Sequence, residues 1–102
     1  MPIGGDKYEF SQKNVDGSPA QAGVYALYDN LQISYYGRAQ GDTVTIRSRL
    51  QSHKAGRDGV CTQGATHYRR EPTSTPIARE KELLDEYKTS NGKLPRCNER
   101  AG

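Results

Sequence analysis

Two short apolar-aromatic runs joined at Asp29-Asn30 set the pattern of this chain, within the stretch Gly23 to Gly37. Val24, Ala26 and Tyr28 alternate with Tyr25 and Leu27, and Ile33 and Tyr35 alternate with Ser34 and Tyr36, the period of two expected of strands. Asp and Asn tolerate the left-handed backbone of a tight connection, so the stretch predicts a β-hairpin. Its tyrosines, Tyr25, Tyr28, Tyr35 and Tyr36, carry hydroxyls that want partners, and such a ribbon could present phenols to a substrate.

Beyond Gly37 the period changes. Arg38 to Gly41 reads as a loop, and Asp42 or Thr43 can cap a helix that runs to about His53 or Lys54 before Gly56 ends it. Ile46 and Leu50 form its apolar stripe. Arg49 and His53 are four apart beside that stripe, so they either meet one ligand together or snorkel at the rim of a packed helix. Residues 56 to 64 form a Gly-rich loop containing Cys61, and Ala65 to Glu71 alternates as a third strand closed by Pro72. Ser74 or Thr75 then caps a second helix, with Pro76 at its first position, that continues to about Lys88 and stops before Asn91-Gly92. Gly92 to Asn98 is a short extended tail. Residues 1 to 21, punctuated by Gly and Pro with Tyr8 and Phe10 as the large anchors, read as a polar, loosely docked leader.

The second helix carries an anomaly. Its apolar stripe is Ile77, Leu84 and Tyr87 with Leu83 alongside, and Glu80 falls inside it. A carboxylate facing the core is costly unless it is paired or binds a cation. Glu80 is therefore the best candidate metal ligand; the alternatives are a buried ion pair with an arginine such as Arg49, or a side chain that tips to solvent.

Composition narrows the picture. A chain of 102 residues holds one small core, and with only fifteen Ile, Leu, Val and Phe residues and a mean hydropathy of -0.96 that core must draw on seven tyrosines and on alanine. No apolar run approaches a membrane span and the N-terminus lacks a basic-then-apolar signal, which points to the cytoplasm. Cys61 and Cys97 have no zinc spacing and read as two free thiols. The net charge of +3 hides an asymmetry: residues 38 to 70 hold seven basic and two acidic side chains. That excess would suit a phosphate backbone, or simply a solvated surface.

Gly23-Val24-Tyr25 followed by Tyr35-Tyr36-Gly37 resembles the paired tripeptides of the GIY-YIG endonucleases, and the later landmarks of that family follow in order. Basic Arg38 comes after the second tripeptide; Ile46-Arg47-Ser48-Arg49-Leu50 places an arginine in the first helix with His53 one turn on. Glu80, Leu83, Leu84 and Tyr87 match the second helix, and Pro95-Arg96-Cys97-Asn98 matches the closing Pro-x-x-Asn. The similarity covers residues 22 to 98, leaving 99 to 102 as a tail. It departs in the aromatic middle residue Tyr36, usually aliphatic, and in an Arg38 to Arg49 interval longer than in the incision domain of the bacterial excision-repair nuclease. The resemblance implies an α+β layered fold, with a three-stranded, mainly antiparallel sheet flanked by helices. It also implies a metal-dependent DNA endonuclease.

Phosphodiester hydrolysis needs an activated water, a cation for the charge that builds on phosphorus, and relief for the leaving oxygen. On the resemblance, Glu80 holds a single Mg²⁺ or Mn²⁺, and Arg49 braces the scissile phosphate. A phenol takes the water's proton, Tyr25 or Tyr35, with Tyr25 leading. His53 shares that transfer, Arg38, Arg47 and Lys54 grip phosphate, Asn98 ties the tail to the site, and Gly23 and Gly37 supply motif geometry. DNA binding should be poor in sequence preference, and a homodimer is the route by which so small a chain could gain selectivity. The competing readings are a non-catalytic nucleic-acid-binding module using the basic 38 to 70 region, and a protein-interaction domain, which explains neither the charge asymmetry nor Glu80.

Overall fold

In the computed structural model, which describes residues 1 to 98, the hairpin forms with one break in its alternation. Its two strands, β2 (Gly23–Asp29) and β3 (Gln32–Ala39), pair antiparallel with Asp29 opposite Gln32 and Asn30 left-handed at φ 58°. The register shifts between Leu27 and Tyr28: Leu27 faces Tyr35 and Tyr28 faces Ile33, which makes Ser34 an extra, bulged residue. Its hydroxyl donates to the Leu27 carbonyl at 3.2 Å, and its own carbonyl accepts from the Cys97 N–H at 2.8 Å. Ile33 and Tyr35, expected to share a face, consequently pack on opposite faces.

The sheet has four strands where three were expected. β4 (His67–Pro72) lies against β2, and a two-residue strand β1 (Tyr8–Glu9) pairs with β4, giving the order β1-β4-β2-β3 with every pairing antiparallel. β1 belongs to the segment read as a loose leader, and that reading is corrected: Ile3, Phe10, Val15 and Ser18 are all buried. A core short of aliphatic residues recruits them. A two-residue strand and the five-residue helix α1 (Gln12–Asp16), capped by Ser11, are too short to show a period.

One face of the sheet packs Tyr25, Leu27 and Tyr68 against Val15 of α1 and Ile46 and Leu50 of α2 (Ile46–Lys54); the other packs Val24, Ala26, Tyr28 and Tyr36 against Leu83 and Tyr87 of α4 (Pro76–Asn91). α2 starts at a Thr45–Ser48 capping box rather than at Asp42 or Thr43, because Gly41 and Val44 close a tight turn with Asp42 at φ 57°. α4 begins at Pro76 as expected but runs past the expected end near Lys88 to Asn91, where left-handed Gly92 closes it. Its buried stripe is Pro76, Leu83 and Tyr87, rotated from the expected one so that Ile77 is 58% exposed. Glu80 still falls on that stripe by spacing. The Gly-rich loop contains a single helical turn, α3 (Val60–Gln63), and Cys61 is bonded to Cys97, so the expectation of two free thiols is corrected. The two cysteines stand 36 positions apart in sequence, and only the packing of α3 and the tail beside β3 brings them together.

Candidate active site

β3 is a free edge of the sheet, and side chains from both of its faces meet there. Gly37 lies opposite Tyr25 and Arg38 opposite Val24, so Tyr35 and Gly37 sit toward α2 while Arg38 sits toward α4. Tyr35, Arg38, Gln40, Val44, Arg49 and Glu80 line a cleft of about 380 Å³. A second cavity of about 290 Å³ shares Tyr35 and Arg49 and adds His53, Asp58, Thr62 and the Cys61–Cys97 bridge. Of the four hairpin tyrosines, Tyr28 and Tyr36 instead line a larger groove of about 470 Å³ beside α4, which holds no other member of the expected set.

Tyr25 is fully buried, and its hydroxyl meets His53 Nε2 at 2.7 Å. His53 Nδ1 meets Thr62 Oγ1 at 2.9 Å, with Asp58 Oδ2 3.5 Å away. A carboxylate beside Nδ1 favours a proton on that nitrogen, which leaves Nε2 to accept from the phenol. Burial, aided by Arg49 and opposed by Asp58, pushes the imidazole down to about 4, so His53 is neutral at pH 7. Burial also raises the Tyr25 phenol well above its usual range, with Tyr35 adding and Arg49 opposing, and raises Tyr35 likewise. Burial works against the Arg49 charge, but Tyr25, Asp58 and Tyr35 outweigh it. Gly37 makes this packing feasible, because a methyl group there would overlap the Tyr25 ring and hydroxyl. Gly23 is equally constrained by the Glu71 carbonyl and the Ile46 side chain.

Glu80 pairs with Arg38, not with Arg49: Arg38 Nη1 donates to Glu80 Oε1 at 2.6 Å, and the two side chains are 40% and 15% exposed. Asn98 clamps the edge strand, accepting from the Tyr36 N–H at 2.8 Å and donating to the Tyr36 carbonyl at 2.9 Å. It thus ties the tail to β3 through Tyr36, and neither Asn98, expected to bind substrate, nor Tyr36 lines the cleft. Arg47 and Lys54 are not brought to the cleft, a correction to their expected phosphate contact. Arg47 Nε donates to the Ser18 carbonyl at 2.7 Å and Lys54 Nζ to the Phe10 carbonyl at 2.8 Å, because both project from the side of α2 that faces the N-terminal segment.

Sequence reasoning missed Thr62, Asp58, Gln40, Val44 and the disulfide. Thr62 lies in one short helix and Asp58, Gln40 and Val44 in the connections between elements, where neither periodicity nor charge clustering marks a residue, and an even pair of cysteines was the only available hint of the bridge. Among the described residues no three His, Cys, Asp or Glu side chains converge as a preformed metal cluster, and no helix is long and apolar enough to cross a membrane. No protein-family model, curated protein or solved structure matches the chain.

Proposed function

We propose that this protein is a metal-dependent endonuclease that hydrolyses phosphodiester bonds in DNA at the β3 edge. The observation that carries the reading is the lining of one cleft by a phenol, two guanidinium groups and a carboxylate: Tyr35, Arg38, Arg49 and Glu80. Those are the functional groups that charge build-up on phosphorus, proton removal and cation binding require. A pure binding module has no use for a mostly buried carboxylate in the same cleft as its phosphate-gripping arginines.

The donor set fits Mg²⁺ or Mn²⁺. A single carboxylate in a polar cleft suits a hard cation that keeps most of its waters, and Glu80 would hold it by exchanging its Arg38 ion pair for the metal. Such an ion would supply Lewis-acid stabilisation of the charge that builds on the phosphoryl oxygens. The chain's own groups do the rest. Arg49 presents a permanent planar cation to a non-bridging phosphate oxygen, and Arg38, with its side chain 40% exposed, reaches the neighbouring phosphate. Tyr35 is the phenol that opens on the cleft, whereas Tyr25 lies a layer deeper with its proton directed at His53 Nε2. Neutral His53 accepts the Tyr25 hydroxyl proton as a hydrogen bond, so the pair braces the back wall against which Tyr35 packs rather than exchanging a proton itself.

Glu80→Gln tests the reading. Because half-exposed Arg38 can turn to water, the variant should melt within about 1 kcal/mol of wild type. It should bind DNA as well as wild type while nicking supercoiled DNA about 10²-fold more slowly or worse. Full nicking by folded Glu80→Gln protein would end the metal-ligand assignment, and DNA binding by wild type with no cleavage in Mg²⁺ or Mn²⁺ would favour the non-catalytic module.

A further inference from the structure

We infer that the Cys61–Cys97 bridge is a positioning element of the cleft, and that a dithiol reductant turns the site down by cutting it; this rests on the nuclease reading above. Each half-cystine adjoins a residue that holds a functional part. Cys61 precedes Thr62, whose hydroxyl meets His53 Nδ1 at 2.9 Å, and Cys97 precedes Asn98, which clamps both backbone groups of Tyr36. Little else anchors α3. α3 is four residues long, its N-cap makes no side-chain hydrogen bond, Val60 is 80% exposed, and Thr62 is its one buried residue. The bridge itself walls the cavity shared by Tyr35, Arg49 and His53.

The chemistry is thiol–disulfide exchange. One thiolate of the dithiol attacks the Cys61 sulfur, which lies in the less buried half of the bridge, and the S–S bond breaks with its electron pair leaving on Cys97, which takes up a proton. The second thiolate of the reductant displaces Cys61 from the mixed disulfide. Two electrons pass to the protein and the reductant ends as its own disulfide. With the link open, α3 no longer holds Thr62 against His53, while Arg38 on β3 and Arg49 on α2 keep their places. The signature is a fall in kcat with KM for DNA nearly unchanged.

The test compares oxidised protein, dithiothreitol-reduced protein and Cys61→Ser/Cys97→Ser, at a temperature where circular dichroism shows each folded. Reduction should lower kcat about tenfold or more at constant KM, and reoxidation should restore it. The double variant should work at the reduced rate whatever the reductant. Thr62→Val, which leaves the bridge intact, should reproduce the kcat loss, so the proposal stays testable if the bridge-free forms melt. NMR titration of the His53 ring gives a readout independent of cleavage. Burial against the Tyr25 and Tyr35 rings, with the Arg49 charge, holds it low in the oxidised protein despite the opposing Asp58 carboxylate, and its pKa should rise on reduction as water reaches it. Equal kcat in folded oxidised and reduced protein, or an unshifted His53 titration, overturns the inference, as does a finding of two free thiols in air-oxidised protein. Oxidised protein that never cuts DNA defeats the nuclease reading instead, and the His53 titration then still decides whether the bridge positions the ring.

Discussion

His53 shows how one buried ring links stability to chemistry. Its folded-state pKa of about 4 lies below the ordinary 6.5, so the unfolded chain binds the extra proton first as pH falls. The stability this contributes is complete above pH 6.5 and is lost as pH drops toward 4, a change of about 3 kcal/mol. Urea unfolding of wild type between those limits should show the loss, and His53→Gln should flatten it. For the same reason the acid limb of kcat should lie below the usual histidine range. Gly37 is the second informative residue. Gly37→Ala forces a methyl group against the Tyr25 ring, which should cost about 1–3 kcal/mol of stability, read as a lower melting temperature, and weaken the Tyr25–His53 contact. An alanine variant that melts with wild type would show that Tyr25 can move aside without penalty.

At the scale of elements, the covalent link between α3 and the tail outweighs either element's own packing. Closing a loop across 36 positions constrains the unfolded chain by about 4 kcal/mol in the chain-entropy account. Cys61→Ser/Cys97→Ser should therefore melt about 15 °C or more below the oxidised protein by differential scanning calorimetry, a large shift for a domain of this size. A shift of only a degree or two would mean that α3 and the tail are already held by their hydrogen bonds to His53, Ser34 and Tyr36. α4 behaves differently, because Leu83 and Tyr87 anchor it across β2 and β3 and Glu80 rides on that anchored face.

For the whole molecule, the basic excess of residues 38 to 70 is less available than its count suggests. Arg47, Lys54 and Arg69 each donate to a backbone carbonyl of the N-terminal segment, and Arg70 stacks on Tyr8 at 4.2 Å. Arg38 and Arg49 are the members that line the cleft. With two to three phosphate contacts, the slope of log K against log salt for duplex DNA should be about -2 to -3. A slope near the one that all seven basic residues would give, about -6, would show that the N-terminal segment releases them on binding.

Much of this was legible along the chain because it is local. The period of two in Gly23 to Gly37 determined the hairpin, Pro76 and Gly92 marked the limits of α4, and the four-residue step from Arg49 to His53 placed both on one edge of α2. Glu80 was conspicuous because a carboxylate among Ile77, Leu83, Leu84 and Tyr87 breaks a pattern that a single helix already displays, although the face that is buried proved to be rotated toward Pro76. What pairs with what was not local. Which arginine met Glu80 depended on β3 running as the free edge beside α4, and the Ser34 bulge, which separates Ile33 from Tyr35, formed where the Cys97 N–H reached the strand. Whether seven basic residues became a phosphate surface or a set of internal ties turned on where an N-terminal segment without periodicity came to rest. Distances across a core follow from packing all the elements at once, so the Tyr25–His53–Thr62 chain and the disulfide were decided only by the tertiary structure.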